Sequence, residues 1–224
     1  MQGAAGERSS GVAGSAGTAY ALPMIGTESD SAPAGKLRLF IAVVPSPAAL
    51  SGLRSALEAA RTLPSAAPLR WTESERLHLT LQFLGSVDAR RVPAIVEACQ
   101  PIAHEAAPFE LTLAGAGAFP SHGRAAVVWI GATRGAEQLT ALAKKVNNAL
   151  EPLGFEPEAR AFTPHLTVAR SKPPSAQTNT VRSLSSVQLT FQVRELVLVH
   201  SKLQGAKPST YHPLQTLALG DGSR

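Results

Sequence analysis

Two histidine–threonine pairs are the residues of this chain best suited to chemistry: His78 and Thr80 within LHLTLQFLG, and His165 and Thr167 within FTPHLTVAR. In each pair one leucine separates imidazole from hydroxyl, inside a run of alternating branched and aromatic side chains that reads as a β-strand. Strand period two sends both polar groups of a pair to one face, and Leu79 and Leu81, or Leu166 and Val168, to the other. Placed side by side, the two strands would bring two imidazoles and two hydroxyls to one point. Such a set suits a phosphate diester, with two groups able to move protons and two small hydrogen-bond partners for its oxygens.

A single His-x-Thr on a strand is a weak motif, ordinarily a hydrogen-bonded histidine at a sheet surface. With six histidines and threonine at roughly one residue in fifteen, less than one such pair is expected by chance. Two copies, both His-Leu-Thr-aliphatic, are the reason to look for one shared site.

The elements around the motifs repeat as well. Leu37 to Val44 reads as a strand, and Ser46-Pro47 supplies a helix N-cap with proline at the first helical position. Leu50, Leu53, Leu57 and Ala60 then mark one helix face, and a Pro-containing loop leads through Leu69-Arg70-Trp71 to the first motif. In the second half Ala125 to Ile130 is a strand, and Leu139, Leu142, Ala143, Val146 and Leu150 form a helix face ending near Gly154. Another Pro-containing loop leads to the second motif. Phe40 precedes His78 by 38 residues and Trp129 precedes His165 by 36, a duplication that pairs the motifs across a pseudo-twofold axis.

Between and after the units, the expected elements are a helix over about 90–106 that Pro101 kinks or ends, and a strand from Phe109 to Leu113. A Gly-rich connection follows over 115–123, without the Gly-Lys-Ser/Thr of a P-loop. Residues 171–186 read as a mobile Ser/Pro/Thr-rich loop, and two strands, Phe191–Leu203 and Tyr211–Leu219, join at a turn near Gly205. Mixed strands and helices with antiparallel connections make the fold class α+β.

Composition limits the alternatives. The chain has 224 residues, 44% hydrophobic and 17% charged, with no run of about eighteen apolar residues that would cross a membrane. Cys99 is the only cysteine, so an internal disulfide or a Cys-rich metal site is excluded, and its apolar neighbours predict a packing role. Residues 1–35 carry Glu7, Glu28 and Asp30 against Arg8, which leaves +7 of charge on 36–224 from an overall +5. A basic domain attracts polyanions, nucleic acid first among them. Residues 1–35 are expected to be a disordered tail without a secretory or mitochondrial signal, with Met24 an alternative start; residues 36–224 then form the domain of a cytoplasmic protein.

The two motifs, the opening LRLFIAV, and the closing ELVLVHSKL followed by Tyr211 resemble the 2H phosphoesterase superfamily. Within it the chain is similar to the RNA 2',3'-cyclic phosphodiesterases, also called 2'-5' RNA ligases, over about residues 36–220. The resemblance implies a bilobal α+β fold, with two pseudo-symmetric lobes, antiparallel sheets lining a central cleft, helices outside, and one motif on each wall. It implies His78 as proton donor, His165 as proton acceptor, and Thr80 and Thr167 as phosphate ligands. Arg170 and Tyr211 are candidate substrate contacts, although strict alternation from His165 would turn Arg170 away from the cleft unless a bulge intervenes. Gln82 shares the parity of Thr80 and is left outside the site. The activity implied is hydrolysis of RNA 2',3'-cyclic phosphate ends, or of a cyclic nucleotide, to a 2'-phosphomonoester, with ATP-independent 2'-5' ligation as a side activity. Neither metal nor cofactor is expected, and the protein is expected to be a monomer. The alternative is a nucleotide- or RNA-binding module of the same fold without catalysis. A histidine metal site ranks below both, because the sequence offers no close-spaced His pair; His104, His122, His200 and His212 read as surface or structural residues.

Overall fold

The computed structural model describes residues 35–205 and 207–220. The expected disordered tail and the alternative start at Met24 lie outside the described residues, apart from Gly35. Thirteen main elements follow in order: β1 (Lys36–Val43), α1 (Pro47–Arg61), β2 (Leu69–Trp71), β3 (Leu79–Asp88), α2 (Val92–Glu105), β4 (Phe109–Phe119), β5 (Ala125–Ala132), α3 (Ala136–Leu150), β6 (His165–Ser175), α4 (Thr178–Leu184), β7 (Gln188–Val193), β8 (Glu195–Gln204) and β9 (Lys207–Ala218). The strands form two antiparallel sheets, one ordered β3-β1-β8-β9 and the other β2-β6-β5-β4-β7. The fold is α+β, as expected.

The motif strands β3 and β6 are not neighbours in one sheet. They lie in different sheets, so the side-by-side arrangement is replaced by two facing walls. The repeated unit is present as β1-α1-β3 and β5-α3-β6, each with its strands paired antiparallel. The two units exchange helices: α1 packs on β7 of the five-stranded sheet, and α3 packs on β3 of the four-stranded one. One hydrophobic core therefore runs through both, with Leu39, Leu53, Leu79, Ile95, Ile130, Leu139 and Leu166 all at most 1% exposed.

The helices form where the apolar period placed them. Ser46 caps α1, its hydroxyl accepting from Ala49 N at 3.2 Å, and the buried face is Leu50, Leu53, Leu57 and Ala60. The buried residues of α3 are the five expected from the sequence. Pro101 does not end α2, which continues to Glu105: its ring lies on the solvent side while Ile95, Cys99 and Ala103 hold the opposite face in the core.

Three expectations from local composition fail for tertiary reasons. The stretch 115–119 is strand, because Gly115 at φ +73° forms a bulge after which Ala116 to Phe119 pair with Ile130 to Val127. The supposed mobile loop over 171–186 is the end of β6 followed by α4. Its polar residues satisfy one another: Thr180 Oγ1 donates to Gln177 Oε1 at 2.8 Å, and Gln177 Nε2 donates to Ser175 Oγ at 2.9 Å, with Gln177 fully buried. The strand expected over 191–203 breaks at Arg194, where the chain passes from β7 in one sheet to β8 in the other. The turn at Gly205 is as expected, with φ +62°, although β9 begins at Lys207 rather than Tyr211.

Gly117 has a separate reason to be glycine, since a Cβ there would run into Cζ2 and Cη2 of the Trp129 ring on the neighbouring strand. Gly117→Ala is therefore expected to lower unfolding stability by about 1–3 kcal/mol in urea titrations. Gly123→Ala, where a Cβ meets nothing within 4 Å, is expected to change it by less than about 0.5 kcal/mol. Equal stabilities for the two variants would contradict this packing.

Candidate active site

One cleft of about 900 Å³ is lined by His78, Thr80, His165, Thr167, Arg170 and Tyr211 together. All six residues singled out in the sequence thus border a single space, the four motif groups from facing sheets. Leu79, Leu166 and Val168 point away into the core, as period two requires.

Each histidine is held in the same way. His78 Nδ1 lies 2.7 Å from Arg76 O, and His165 Nδ1 lies 2.6 Å from Thr163 O. A carbonyl oxygen only accepts, so each Nδ1 carries a proton and Nε2 is the nitrogen left for the cleft. Aromatic rings fix the imidazole planes. His78 stacks on Phe40 at 4.7 Å between centroids and meets Tyr211 edge-on at 5.2 Å, while His165 meets Phe119 edge-on at 5.3 Å. Tyr211 thereby gains a position beside His78, at the edge of a small cluster of Phe40, Ala42, Val197 and Val199.

A bulge follows each motif threonine. On β3 the partner of Ala42 is Thr80 and the partner of Phe40 is Phe83, with Leu81 skipped. On β6 the partner of Trp129 is Thr167 and the partner of Val127 is Arg170, with Val168 skipped. The extra residue reverses the alternation, so the residue three after each threonine returns to the cleft. This brings Arg170 into the site and adds Phe83, which the sequence reading missed. The bulge also corrects the parity of Gln82, which pairs with Ile41 and is buried, its Nε2 donating to Phe155 O at 3.0 Å. Register shows the duplication more closely than the aromatics did, since Ala42 precedes Thr80, and Trp129 precedes Thr167, by the same 38 residues.

Phe83 is 39% exposed, lies parallel to Phe40 at 6.1 Å, and is covered by the Arg38 guanidinium 4.6 Å from its centroid. The cleft is cationic, with Arg38, Lys144, Arg160 and Arg170 in its lining against Glu156 and Glu158. Burial holds both histidines below the usual imidazole value of 6.5, and the charge of Arg170 pushes each further down. The carbonyl bonds oppose this in both cases, and Glu158 opposes it at His165. Among the described residues no three His, Cys, Asp or Glu side chains come together as a metal site. His200 and His212 lie opposite each other on β8 and β9 with ring centroids 6.3 Å apart, outside the cleft lining. Cys99 is buried in the core, which pushes its thiol up to about 12. No helix among the described residues is long and apolar enough to cross a membrane.

Lowered imidazole values have a sign in stability. The unfolded chain takes up protons near pH 6.5 before the folded protein does, so stability falls as pH drops through 6.5 toward the folded values. Proton titration followed by NMR is expected to place both midpoints below 6.5 and to move both upward in Arg170→Gln. Midpoints unchanged by that substitution would separate Arg170 from the histidines.

Comparison with known proteins gives consistent results. Residues 39–205 match the profile of the 2'-5' RNA ligase superfamily. A protein of Archaeoglobus fulgidus named RNA 2',3'-cyclic phosphodiesterase is 34% identical over 174 residues, 77% of this chain and 95% of that protein. One of the same name from Geobacillus stearothermophilus is 36% identical over 143 residues, 62% of this chain; the matched stretch spans only 45% of that relative. Among solved structures, the Thermus thermophilus protein TT0787 superposes with a TM-score of 0.68 at 28% identity, over 84% of this chain and 100% of that one.

Proposed function

The chain belongs to the 2'-5' RNA ligase superfamily, and on that footing we propose that it hydrolyses the 2',3'-cyclic phosphate at an RNA end to a 2'-phosphomonoester. The observation that carries this reading is the pair of imidazoles from facing sheets, each bound at Nδ1 to a backbone carbonyl and each bordering the same cationic cleft. Relatives sharing a third of the sequence bear the name of that activity.

Opening the cyclic diester requires a proton taken from water and a proton given to the departing oxygen. His165 Nε2 removes the water proton as the new P–O bond forms. His78, protonated at Nε2, delivers its proton to O3' as the P–O3' bond breaks. Thr80, Thr167 and Arg170 hold the non-bridging oxygens, where charge accumulates in the transition state. In the free protein burial and Arg170 disfavour the imidazolium; an anionic phosphate in the cleft reverses that field and lets His78 hold its proton. Phe83, with Arg38 over its ring, borders the base of the terminal nucleotide, and Tyr211 meets the His78 ring edge-on and holds it in place. A 5'-hydroxyl in the place of water would give a 2'-5' linkage by the same proton transfers. A single chain supplies every group, which supports a monomer acting where RNA resides, in the cytoplasm.

His78→Ala and His165→Ala are each expected to cut kcat/KM on a cyclic-ended RNA by about a hundredfold or more. Turnover is expected to survive EDTA, and the product is expected to carry a 2'-phosphate. Tight binding of cyclic-ended RNA with no turnover by the unmodified protein would sink hydrolysis in favour of a binding module. A bell-shaped pH profile is expected, with the acid limb of kcat/KM below 6.5 because the free-protein imidazoles lie there.

A further inference from the structure

We infer that Trp129 is a positioning residue for the base of the reaction: its indole, seated over two glycines of the second motif wall, holds the His165 ring in its working orientation. This rests on the hydrolysis proposed above and deepens it. The bond from Nδ1 to Thr163 O sets which nitrogen of His165 faces the cleft, and packing sets how firmly the ring stands there.

Strand register puts Trp129 on the motif face of the five-stranded sheet. Its Cα partners are Gly117 on β4 and Thr167 on β6, while Gly131, the next residue of β5 on that face, is the partner of His165. A Cβ at Gly117 would overlap Cε2, Cζ2 and Cη2 of the indole, and one at Gly131 would lie 3.2 Å from Cζ3. The indole therefore spreads over both bare positions, toward His165. Its ring centroid is 5.1 Å from that of Phe119 and 6.1 Å from that of His165, and Phe119 meets His165 edge-on at 5.3 Å, so the three rings close a triangle. Trp129 itself lies outside the cleft lining. It acts on substrate only through its two ring neighbours. Indole Nε1 is buried with no hydrogen-bond partner among the described residues, so packing locates the ring and a smaller aromatic side chain at 129 forfeits no hydrogen bond.

The first wall is built differently. Ala42 stands to Thr80 as Trp129 stands to Thr167, but it carries only a methyl group, and His78 stacks instead on Phe40, two residues earlier. The two imidazoles thus lean on aromatic rings from non-equivalent positions. Position 129 can be changed without touching the support of His78, which makes His78 an internal control.

The test combines NMR titration of both imidazoles with turnover of a cyclic-ended RNA, in Trp129→Leu, which keeps apolar bulk, and in Trp129→Phe, which keeps an aromatic face. In Trp129→Leu kcat is expected to fall about tenfold with KM within about twofold, and Trp129→Phe is expected to recover most of the loss. Losing the indole uncovers His165, so its midpoint is expected to rise toward 6.5 in Trp129→Leu while that of His78 stays in place. A drop in urea stability with kcat and the His165 midpoint unmoved would overturn the inference, as would equal losses in the two variants or a shift shared by His78. Should the unmodified protein turn over no cyclic-ended RNA, hydrolysis fails, and the two titrations alone decide whether Trp129 positions His165.

Discussion

Everything the site can do depends on the hydrogen bond from each imidazole Nδ1 to the carbonyl two residues before it. A histidine at a sheet end has free ring rotation and two tautomers; the bonds to Arg76 O and Thr163 O remove both freedoms. Without them, Nε2 would not be committed to the cleft. The carbonyls also moderate the descent of the pKa that burial and Arg170 impose. The site balances these influences, with both imidazoles held below their usual 6.5.

The two bulges are the second constraint. A strand presents every other residue to a face, which would limit each wall to His, Thr and a residue two further on. Inserting one unpaired residue after each threonine replaces that third position with the one after it, and so brings Phe83 and Arg170 to the cleft. One wall gains an apolar ring and the other a guanidinium. The same device on two equivalent strands therefore yields a cleft with unlike walls.

Helix exchange between the units explains why the cleft keeps its geometry. Had α1 packed only on its own sheet and α3 only on its own, the halves could have moved apart on a hinge. Instead α3 lies against β3 and α1 against β7, so a single core of Leu, Ile and Val spans both. Opening the cleft by separating the sheets would expose part of that core, at about 25 cal/mol for each Å² of apolar surface.

The sequence by itself determined the α+β class, the Ser46 cap of α1, the apolar faces of α1 and α3 and the identity of the four motif groups, because these follow from local period and residue type. His78, Thr80, His165 and Thr167 were legible since a duplicated pattern needs no partner to be seen. The residues' own pattern did not decide whether the motifs lie in one sheet or face each other across a cleft, since pairing partners are chosen by long-range packing; the family resemblance implied facing walls, and the sheet order has them. Tertiary structure alone decided that 171–186 is ordered, because Gln177, Thr180 and Ser175 satisfy each other only once folded. It also decided that Phe83 and Arg170 belong to the site and that Gln82 turns from the motif face. A bulge is fixed by the register of two strands distant in sequence, and a period read along one strand cannot contain it.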